Sequence, residues 1–149
     1  VCMMSDRSEI VTTLTKLFWS TDHHDWEELR HTLTDRVLLD YTATLGGEPR
    51  ICTPDDVVDG WRPAFEALDA HQHLVANHMV EIADEEATAT ASFIATHQFR
   101  GETWTLGGEY HFRLHRCEGT WRVAAMRMVP VWQTGPADLV TKALEAAAS

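Results

Sequence analysis

The sequence predicts a single α+β domain, spanning residues 1–149, in which helices come first and an antiparallel sheet follows. Two observations lead to this prediction. Apolar residues recur at helical spacing in much of the first half, whereas from residue 72 onward they alternate with polar ones, as in half-buried strands. The alternating segments are joined by short turns, which suit antiparallel neighbours because a parallel pair needs a long crossover.

Three helices are predicted before the sheet, with one strand among them. The first has Ser5 as its N-cap and ends near residue 21, and the second covers the segment DWEELRHTL. A strand over residues 36–43 follows and gives Tyr41 an inward position. The third helix starts at Thr53 and has a proline at its first helical position, which is a strong start signal.

The sheet continues with four strands, predicted over residues 73–83, 87–100, 103–116 and 121–132. Gly135 and Pro136 then precede an amphipathic helix over residues 136–148, which could close a pocket as a lid or pack in an oligomer interface. At the other end of the chain, residues 1–6 are expected to form a disordered leader.

Two neighbouring strands each place a histidine among inward-facing apolar residues. His97 lies in a row of alanines and phenylalanines, and His78 shares its predicted inner face with Leu74, Ala76, Val80 and Ile82. A buried imidazole needs a hydrogen-bond partner, so the chain must supply one for each ring. Asp22 follows Phe18 by four residues and therefore projects from the buried face of the first helix at its C-terminal end.

Composition argues against several classes of partner. A net charge of −11, with scattered lysines and arginines, disfavours nucleic acid and anionic membrane surfaces. The cysteines Cys2, Cys52 and Cys117 lack metal-site spacing, which favours a reduced, cytoplasmic protein. The sequence contains neither an apolar run near the ~20 residues of a membrane span nor a signal-peptide pattern.

Nine histidines raise the question of a metal site. No two of them stand on a predicted helix with His-x-x-x-His spacing, so we predict neither a metal nor another cofactor. Apart from His78 and His97, most histidines are expected in water, on turns or outward faces: His23, His24, His71, His73, His111 and His115.

Five short patterns are spread over about residues 10–132: Asp22-His23-His24-Asp25-Trp26, Asp40-Tyr41, Gln72 to His78, His97-Gln98 and Gly119-Thr120-Trp121. Together they resemble the SnoaL-like branch of the nuclear transport factor 2-like superfamily, and within it scytalone dehydratase most. The Gly-x-Trp pattern is common to the whole superfamily, whereas the other patterns together are more specific. The resemblance implies a cone-shaped, curved antiparallel sheet wrapped around N-terminal helices, with a deep pocket inside.

The resemblance also implies roles for four residues. Asp22 and His78 match the family's Asp–His dyad, and His97 matches its second pocket histidine. Tyr41 matches one of two tyrosines that bind a water on the substrate carbonyl.

At three positions the sequence departs from the family pattern. The second tyrosine of the carbonyl clamp is Thr21 here, and a serine and an asparagine of the family pocket fall at about Gly108 and Tyr110. We therefore do not expect the substrate of the fungal melanin enzyme.

The predicted function is a cofactor-independent dehydratase, a lyase of secondary metabolism acting on a cyclic or polyketide-like β-hydroxy carbonyl compound. His78, oriented by Asp22, would remove the proton α to the carbonyl, and Tyr41 would stabilise the enolate. His97 would donate to the leaving hydroxyl or position a water. The predicted apolar walls of a pocket for a small hydrophobic, aromatic or cyclic substrate are Trp19, Trp61, Phe65, Phe93, Phe99, Tyr110, Phe112, Met126 and Met128.

Other interpretations stay open at the level of sequence. The same dyad could serve an isomerase, an aldol-type cyclase or a dehydrohalogenase, and the domain could be a binding or assembly module without chemistry. His78 could be a core histidine paired with an aspartate, His97 could bond a backbone carbonyl, and Tyr41 could be a core aromatic. A homo-oligomer, dimer or trimer, is expected from an apolar outer sheet face.

Overall fold

A computed structural model describes residues 4–149 of the chain. In chain order, its elements are α1 (Asp6–Asp22), α2 (Trp26–His31), β1 (Leu33–Asp40), α3 (Thr42–Leu45), β2 (Arg50–Cys52), α4 (Pro54–Glu66), β3 (Ala70–Ala83), β4 (Glu86–Phe99), β5 (Glu102–Cys117), β6 (Thr120–Thr134) and α5 (Leu139–Ala148). The α+β class predicted from the sequence is confirmed.

One curved, unclosed sheet holds the six strands of this range in the order β2-β1-β6-β5-β4-β3. Strands β3 to β6 form the predicted antiparallel meander. Strand β1 returns beside β6 in parallel and pairs with the short β2 on its other edge. The core lies between the inner face of this sheet and helices α1, α2 and α4.

Helix α1 begins where the sequence predicted. The Ser5 hydroxyl accepts a hydrogen bond from the backbone N–H of Ser8, which satisfies one free donor of the first turn. Of the predicted leader, residues 1–3 lie outside the described range, whereas Asp6 belongs to α1 and accepts a hydrogen bond from Arg116. The helix buries a stripe against the sheet: Ile10, Leu14, Leu17 and Phe18.

The strand predicted over residues 36–43 ends earlier, at Asp40. The carboxylate of Asp40 accepts hydrogen bonds from the backbone N–H and the hydroxyl of Thr42, at 3.0 and 2.6 Å, and this local turn starts α3. Tyr41 is consequently the N-cap residue of α3 rather than a strand residue.

A bulge in β3 shifts its pairing with β4. Ala76 pairs with Ser92 and Met79 pairs with Thr90, so three steps along β3 match two steps along β4. Asn77 lies within the bulge with a φ of 59°, in the left-handed region that asparagine tolerates better than most residues. The side chains therefore change faces at this point.

Because of the bulge, the observed inner face of β3 differs from the predicted one. Before it, the inward residues have odd numbers and include His71 and His73, and after it they have even numbers and include His78. The inward positions predicted for Leu74 and Ala76 are wrong: both are exposed, Leu74 by 59%. Ile82, near the strand end, is also exposed.

The inner faces predicted for β4 and β5 are confirmed. His97 of β4 is buried together with a row of small and aromatic neighbours: Ala87, Ala89, Ala91, Phe93 and Ala95. On β5, Tyr110, Phe112 and Leu114 face the same core. Of these alanines, Ala95 borders the cavity described below.

Helix α5 packs back over the sheet near its open end. Leu139 and Ala143 are almost fully buried in a small cluster with Leu68, and Phe65 packs against that cluster. Among the helices of residues 4–149, none is both long and apolar enough to cross a membrane.

Candidate active site

A cavity of about 530 Å³ lies between the inner face of the sheet and helices α1, α3, α4 and α5. Four of the predicted wall residues line it: Trp61, Phe65, Tyr110 and Met128. The sequence interpretation missed further apolar walls from α1, β5 and α5: Phe18, Trp104, Leu106 and Val140. The helical spacing of Phe18 predicted its burial, but not that the space beside it is open.

The other predicted wall residues lie elsewhere. Trp19 is on the outer side of α1, 64% exposed and stacked on His23. Phe99 packs against the α5 cluster. The remaining three are core residues with little exposure: Phe93, Phe112 and Met126.

The carboxylate of Asp22 binds His73, not His78. Its Oδ2 accepts the backbone N–H of His73 at 2.8 Å, and its Oδ1 lies 2.7 Å from Nδ1 of the same residue. Since a carboxylate accepts hydrogen bonds, Nδ1 carries the proton and Nε2 of the neutral ring carries the lone pair. The ring borders the cavity, and within residues 4–149 no protein group hydrogen-bonds to Nε2.

The predicted pairing of Asp22 with His78 is therefore wrong. His78 does face inward, but it lies beyond the bulge, outside the residues that line the cavity, and its buried Nε2 has no hydrogen-bond partner within the described range. Burial, together with the charge of Arg7, lowers the pKa of His78. The bulge explains the error, because it puts His71 and His73 on the inner face beside the end of α1.

His71 also approaches Asp22. Its Nδ1 lies 3.4 Å from Oδ1, and its other nitrogen, Nε2, lies 2.7 Å from Nε2 of His24. The side chains of His71 and His73 are only 3% and 8% exposed, so the expectation that both are in water is wrong. Burial by itself would raise the pKa of Asp22, but the contacts with His71 and His73 outweigh it and hold this pKa well below its usual range.

Asp22, His71 and His73 also form a possible donor set for a metal ion, since their ligand atoms lie within 4.8 Å of one another. Helical spacing could not reveal this group, because the two histidines alternate along a strand. The 2.7 Å contact between Nδ1 of His73 and Oδ1 of Asp22 has hydrogen-bond length and needs a proton on the nitrogen that a metal would occupy. The observed contact fits a proton.

His97 has the same tautomer as His73 but a different partner. Its Nδ1 donates to the backbone carbonyl of Trp104 at 3.1 Å, so Nε2 of the neutral ring has the lone pair. Burial lowers the pKa of His97 to about 4, although the Trp104 carbonyl opposes the shift. The ring is therefore neutral near pH 7 and accepts hydrogen bonds at Nε2, which contradicts a donor role for this atom.

Two phenols reach the cavity, from Tyr41 and Tyr110. Burial raises the pKa of both, so both hydroxyls keep their protons and can donate hydrogen bonds. Thr21, which stands where the family has its second clamp tyrosine, donates its hydroxyl to the Leu17 carbonyl at 2.8 Å. Tyr110 thus supplies a phenol that Thr21 cannot.

A second opening of about 600 Å³ lies on the outer side of the Asp22 pair, between α1 and the edge strand β3. Asp22, His71 and His73 border it together with the exposed Trp19. Of these three residues, His73 borders both openings, whereas Asp22 and His71 border this groove and not the cavity.

Comparison with known proteins places the chain in a family. A profile of the SnoaL-like domain matches residues 3–127. No curated protein matches the chain. Among solved structures, a protein from Kribbella flavida is similar at 25% sequence identity and a TM-score of 0.86, covering 91% of this chain and 97% of that one.

Two more distant structures share the fold. A protein from Novosphingobium aromaticivorans assigned as a scytalone dehydratase has 16% identity and a TM-score of 0.77, covering 88% of this chain and 87% of that one. A hexachlorocyclohexane dehydrochlorinase has 12% identity and a TM-score of 0.76, covering 88% of both chains. Identities this low show common architecture alone.

Proposed function

The chain belongs to the SnoaL-like family of the nuclear transport factor 2-like superfamily, and from that premise we propose that it is a cofactor-independent lyase. Its reaction is the dehydration of a small cyclic or polyketide-like β-hydroxy carbonyl compound. The observation that carries this proposal is the Asp22–His73 pair, whose imidazole lines an apolar cavity and has no hydrogen-bond partner at Nε2 among the protein groups of residues 4–149.

His73 begins the reaction as a general base. Its Nε2 removes the proton from the carbon α to the carbonyl, and the electrons of that C–H bond form an enolate. Collapse of the enolate restores the carbonyl, forms the Cα=Cβ double bond and expels the β-hydroxyl. The imidazolium returns its proton to the departing oxygen, so water leaves and neutral His73 is restored. Asp22 stabilises the imidazolium through the Nδ1 hydrogen bond.

The phenols of Tyr41 and Tyr110 serve the enolate oxygen. Both remain protonated, and donors aimed at developing negative charge lower the barrier. His97 takes a role different from the one expected from the sequence. Its free Nε2 accepts a hydrogen bond from the substrate hydroxyl or from a water, and so orients the leaving group.

The cavity favours a flat, apolar substrate. Its volume lies within the range of about 300–1,000 Å³ that is usual for small-molecule sites. Aromatic rings from α1, α4, β5 and the N-cap of α3 line it. Two structural neighbours are named for elimination reactions, a dehydratase and a dehydrochlorinase. Proton removal next to an activating group is compatible with that kind of chemistry.

The alternative functions either begin with the same removal of a proton or involve no chemical step. An isomerase, a cyclase or a dehydrohalogenase would also use His73 to remove a proton, whereas a binding or assembly module would leave a bound ligand unchanged. The expected dimer or trimer stays a prediction, and the outer sheet face does expose apolar side chains, among them Leu74, Met79 and Ile94.

The decisive experiment measures hydrogen–deuterium exchange at the α-carbon of cyclic ketones and β-hydroxy ketones in D₂O by NMR. We expect wild-type protein to catalyse exchange, and His73→Gln and Asp22→Asn to lower the rate by about 10²–10⁴-fold, the usual share of one general base. Exchange should persist after treatment with a chelator. Detection does not depend on the later fate of the enolate, so dehydration and isomerisation are both covered.

His78→Gln is the matched control, because it makes the same change on the same strand beyond the bulge. It should exchange substrate protons at the wild-type rate. If His78→Gln abolished exchange while His73→Gln retained it, the assignment of the base to His73 would be wrong.

A further inference from the structure

The Asp22–His73 dyad leaves one feature of the site without a purpose. His71 is a second imidazole at the same carboxylate, and its ring is almost fully buried between Phe65, with ring centroids 4.6 Å apart, and His24. A dyad needs only one histidine. Two buried rings at one carboxylate call for an account of where each proton lies.

The contacts of His71 with Asp22 and His24 indicate which ring nitrogens carry a hydrogen. His71 Nδ1 faces Asp22 Oδ1 at 3.4 Å, and a bare nitrogen in this place would set its lone pair against a carboxylate oxygen. The Nδ1 atom therefore carries the hydrogen, and Nε2 of the neutral ring is an acceptor. The Nε2 atoms of His71 and His24 lie 2.7 Å apart, so one of them donates a hydrogen bond to the other. Because Nε2 of His71 is the acceptor, Nε2 of His24 is the donor.

We propose that His71 is a positioning residue for the dyad: its Nδ1–H holds the Asp22 carboxylate, and His24 donates Nε2–H to its far nitrogen, completing a chain from the protein surface to His73. The proposal rests on the proposed function, because it concerns the base of that reaction. Its effect is on Asp22, whose Oδ1 accepts the Nδ1–H of His73 at 2.7 Å and lies 3.4 Å from Nδ1 of His71. The second contact is longer than a hydrogen bond, and among residues 4–149 the buried Nδ1 of His71 has no hydrogen-bond partner. Because a carboxylate that also attracts this second N–H group rotates less freely, the orientation of the His73 ring is maintained.

The contact of His71 with Asp22 also changes how strongly the carboxylate stabilises the imidazolium of His73. Each donor that approaches Oδ1 offsets part of the negative charge that stabilises the imidazolium of His73. Removal of the His71 contact should therefore leave the Asp22 carboxylate and the His73 ring less well oriented. If His71 only filled space, replacing it with a side chain of similar size would not change their orientation.

Other charged groups around these rings come from four elements. Asp22 and His23 lie at the end of α1, and His97 lies on β4. On α4, Glu66 accepts hydrogen bonds from Arg62 and from Trp26 of α2, and its charge acts on His24. All of these remain unchanged in the variants below, so the comparison isolates His71.

Two substitutions separate the two nitrogens of His71. In His71→Asn, the amide nitrogen can occupy the place of Nδ1 and keep the donor to Asp22, but it cannot reach His24. In His71→Gln, the longer amide reaches the place of Nε2 and loses the donor to Asp22. The surface partner is tested by His24→Asn, because asparagine tolerates the φ of 56° at this position and is too short to contact His71.

The first readout is NMR of the imidazole nitrogens, which reports each tautomer without any substrate. We expect protonated Nδ1 and unprotonated Nε2 for both His71 and His73 in wild-type protein. In His71→Gln the Nδ1–H signal of His73 should shift, because Asp22 no longer faces a second N–H group. His71→Asn should keep the wild-type position of this signal. His24→Asn should change the nitrogen shift of His71 Nε2 but not its tautomer.

The second readout is the α-carbon exchange rate. His71→Gln should lower it on the order of tenfold, as is common for groups that orient a catalytic residue, and His71→Asn should restore most of the loss. A wild-type His71 protonated at Nε2 would overturn the proposal, as would equal positions of the His73 Nδ1–H signal in the Asn and Gln variants. A metal ion at the three donors would also overturn it and would show as chelator-sensitive loss of both Nδ1–H signals.

The two proposals fail in distinguishable ways. If no ketone exchanges with any protein, the dehydratase assignment fails, while the tautomers and the His73 Nδ1–H signal still decide whether His71 positions Asp22. If exchange depends on His73 but not on the donor at position 71, the dehydratase assignment stands and the positioning role fails.

Discussion

His73 and His97 border the same cavity as two imidazoles in the same tautomer, and the partner of Nδ1 decides what each can do. Nδ1 of His73 donates to a carboxylate, whereas Nδ1 of His97 donates to a backbone carbonyl. A negative charge stabilises an imidazolium far more than a neutral dipole does. His73 can therefore hold a proton taken from a substrate, and His97 remains an acceptor.

This difference predicts a pH dependence of stability that belongs to His97. Its folded-state pKa of about 4 lies below the ordinary value of 6.5, so the unfolded chain binds more protons between these values. Stability is complete above about pH 6.5 and is lost as the pH falls towards 4, by about 3 kcal/mol from this ring. Urea unfolding at several pH values measures the slope.

His97→Asn is the variant for this test, since its amide nitrogen can still donate to the Trp104 carbonyl but does not titrate. Its free energy of unfolding should fall less steeply than that of the wild type between pH 6.5 and 4. Other groups with low pKa values, such as His78 and Asp22, contribute equally to both proteins. Parallel curves for the two proteins would show that His97 is not held neutral by burial.

At the scale of secondary-structure elements, the bulge in β3 decides which histidine meets Asp22. Alternation along the sequence assigned faces correctly for β4 and β5, where the register is regular over the residues concerned. In β3, one extra residue inverts the alternation of inward and outward side chains, and the pattern of apolar residues does not predict this change. The left-handed Asn77 is the local signal, because asparagine is uncommon within strands and tolerates such a conformation.

The features of the candidate site that depend on a single helix or strand could be predicted from the sequence. Helical spacing gave the inward direction of Asp22, and alternation gave that of His97. The pairing of Asp22 with His73 depends on two elements distant in sequence and on a bulge between candidate partners, so local patterns could not select it. The position of Tyr41 likewise depends on a turn at Asp40 that competes with continuation of the strand.

One prediction at this scale concerns Gly108, where the antiparallel pairing of β5 with β6 shifts register. A Cβ atom on Gly108 would overlap the carbonyl oxygen of Val129 and lie 2.8 Å from the Cα of Pro130, both backbone atoms that cannot move aside. Gly108→Ala should therefore destabilise the protein by about 1–3 kcal/mol, the usual range for overpacking. Thermal and urea unfolding would measure the loss.

Gly60→Ala is the matched control for Gly108→Ala. Gly60 lies within α4, where an added Cβ would meet nothing within 4 Å, so the same change should stabilise the helix by about 0.5–1 kcal/mol. The two variants are expected to differ in sign. A neutral result for Gly108→Ala would mean that β5 and β6 can separate locally at little cost.

At the scale of the whole molecule, helices from the first and last parts of the sequence both line the cavity. Phe18 of α1 and Val140 of α5 line the same space, with the sheet and α4 between them. A ligand in the cavity would therefore contact every layer of the domain and should stabilise it as a unit. Helix α5 is held to the rest of the domain by few fully buried side chains, Leu139 and Ala143.

That arrangement predicts that α5 opens by itself and controls ligand exchange. Leu139→Ala removes a fully buried anchor, so docking of α5 should weaken by about 2–5 kcal/mol. Amide hydrogen exchange should then accelerate in α5 while remaining slow in β4 and β5, and a bound hydrophobic probe should dissociate faster. Leu144→Ala, the same change at a 37% exposed position of the same helix, should leave both rates nearly unchanged. Uniformly faster exchange throughout the sheet in Leu139→Ala would instead mean that α5 is a fixed wall whose loss unfolds the whole domain, because a lid can undock without taking the sheet with it.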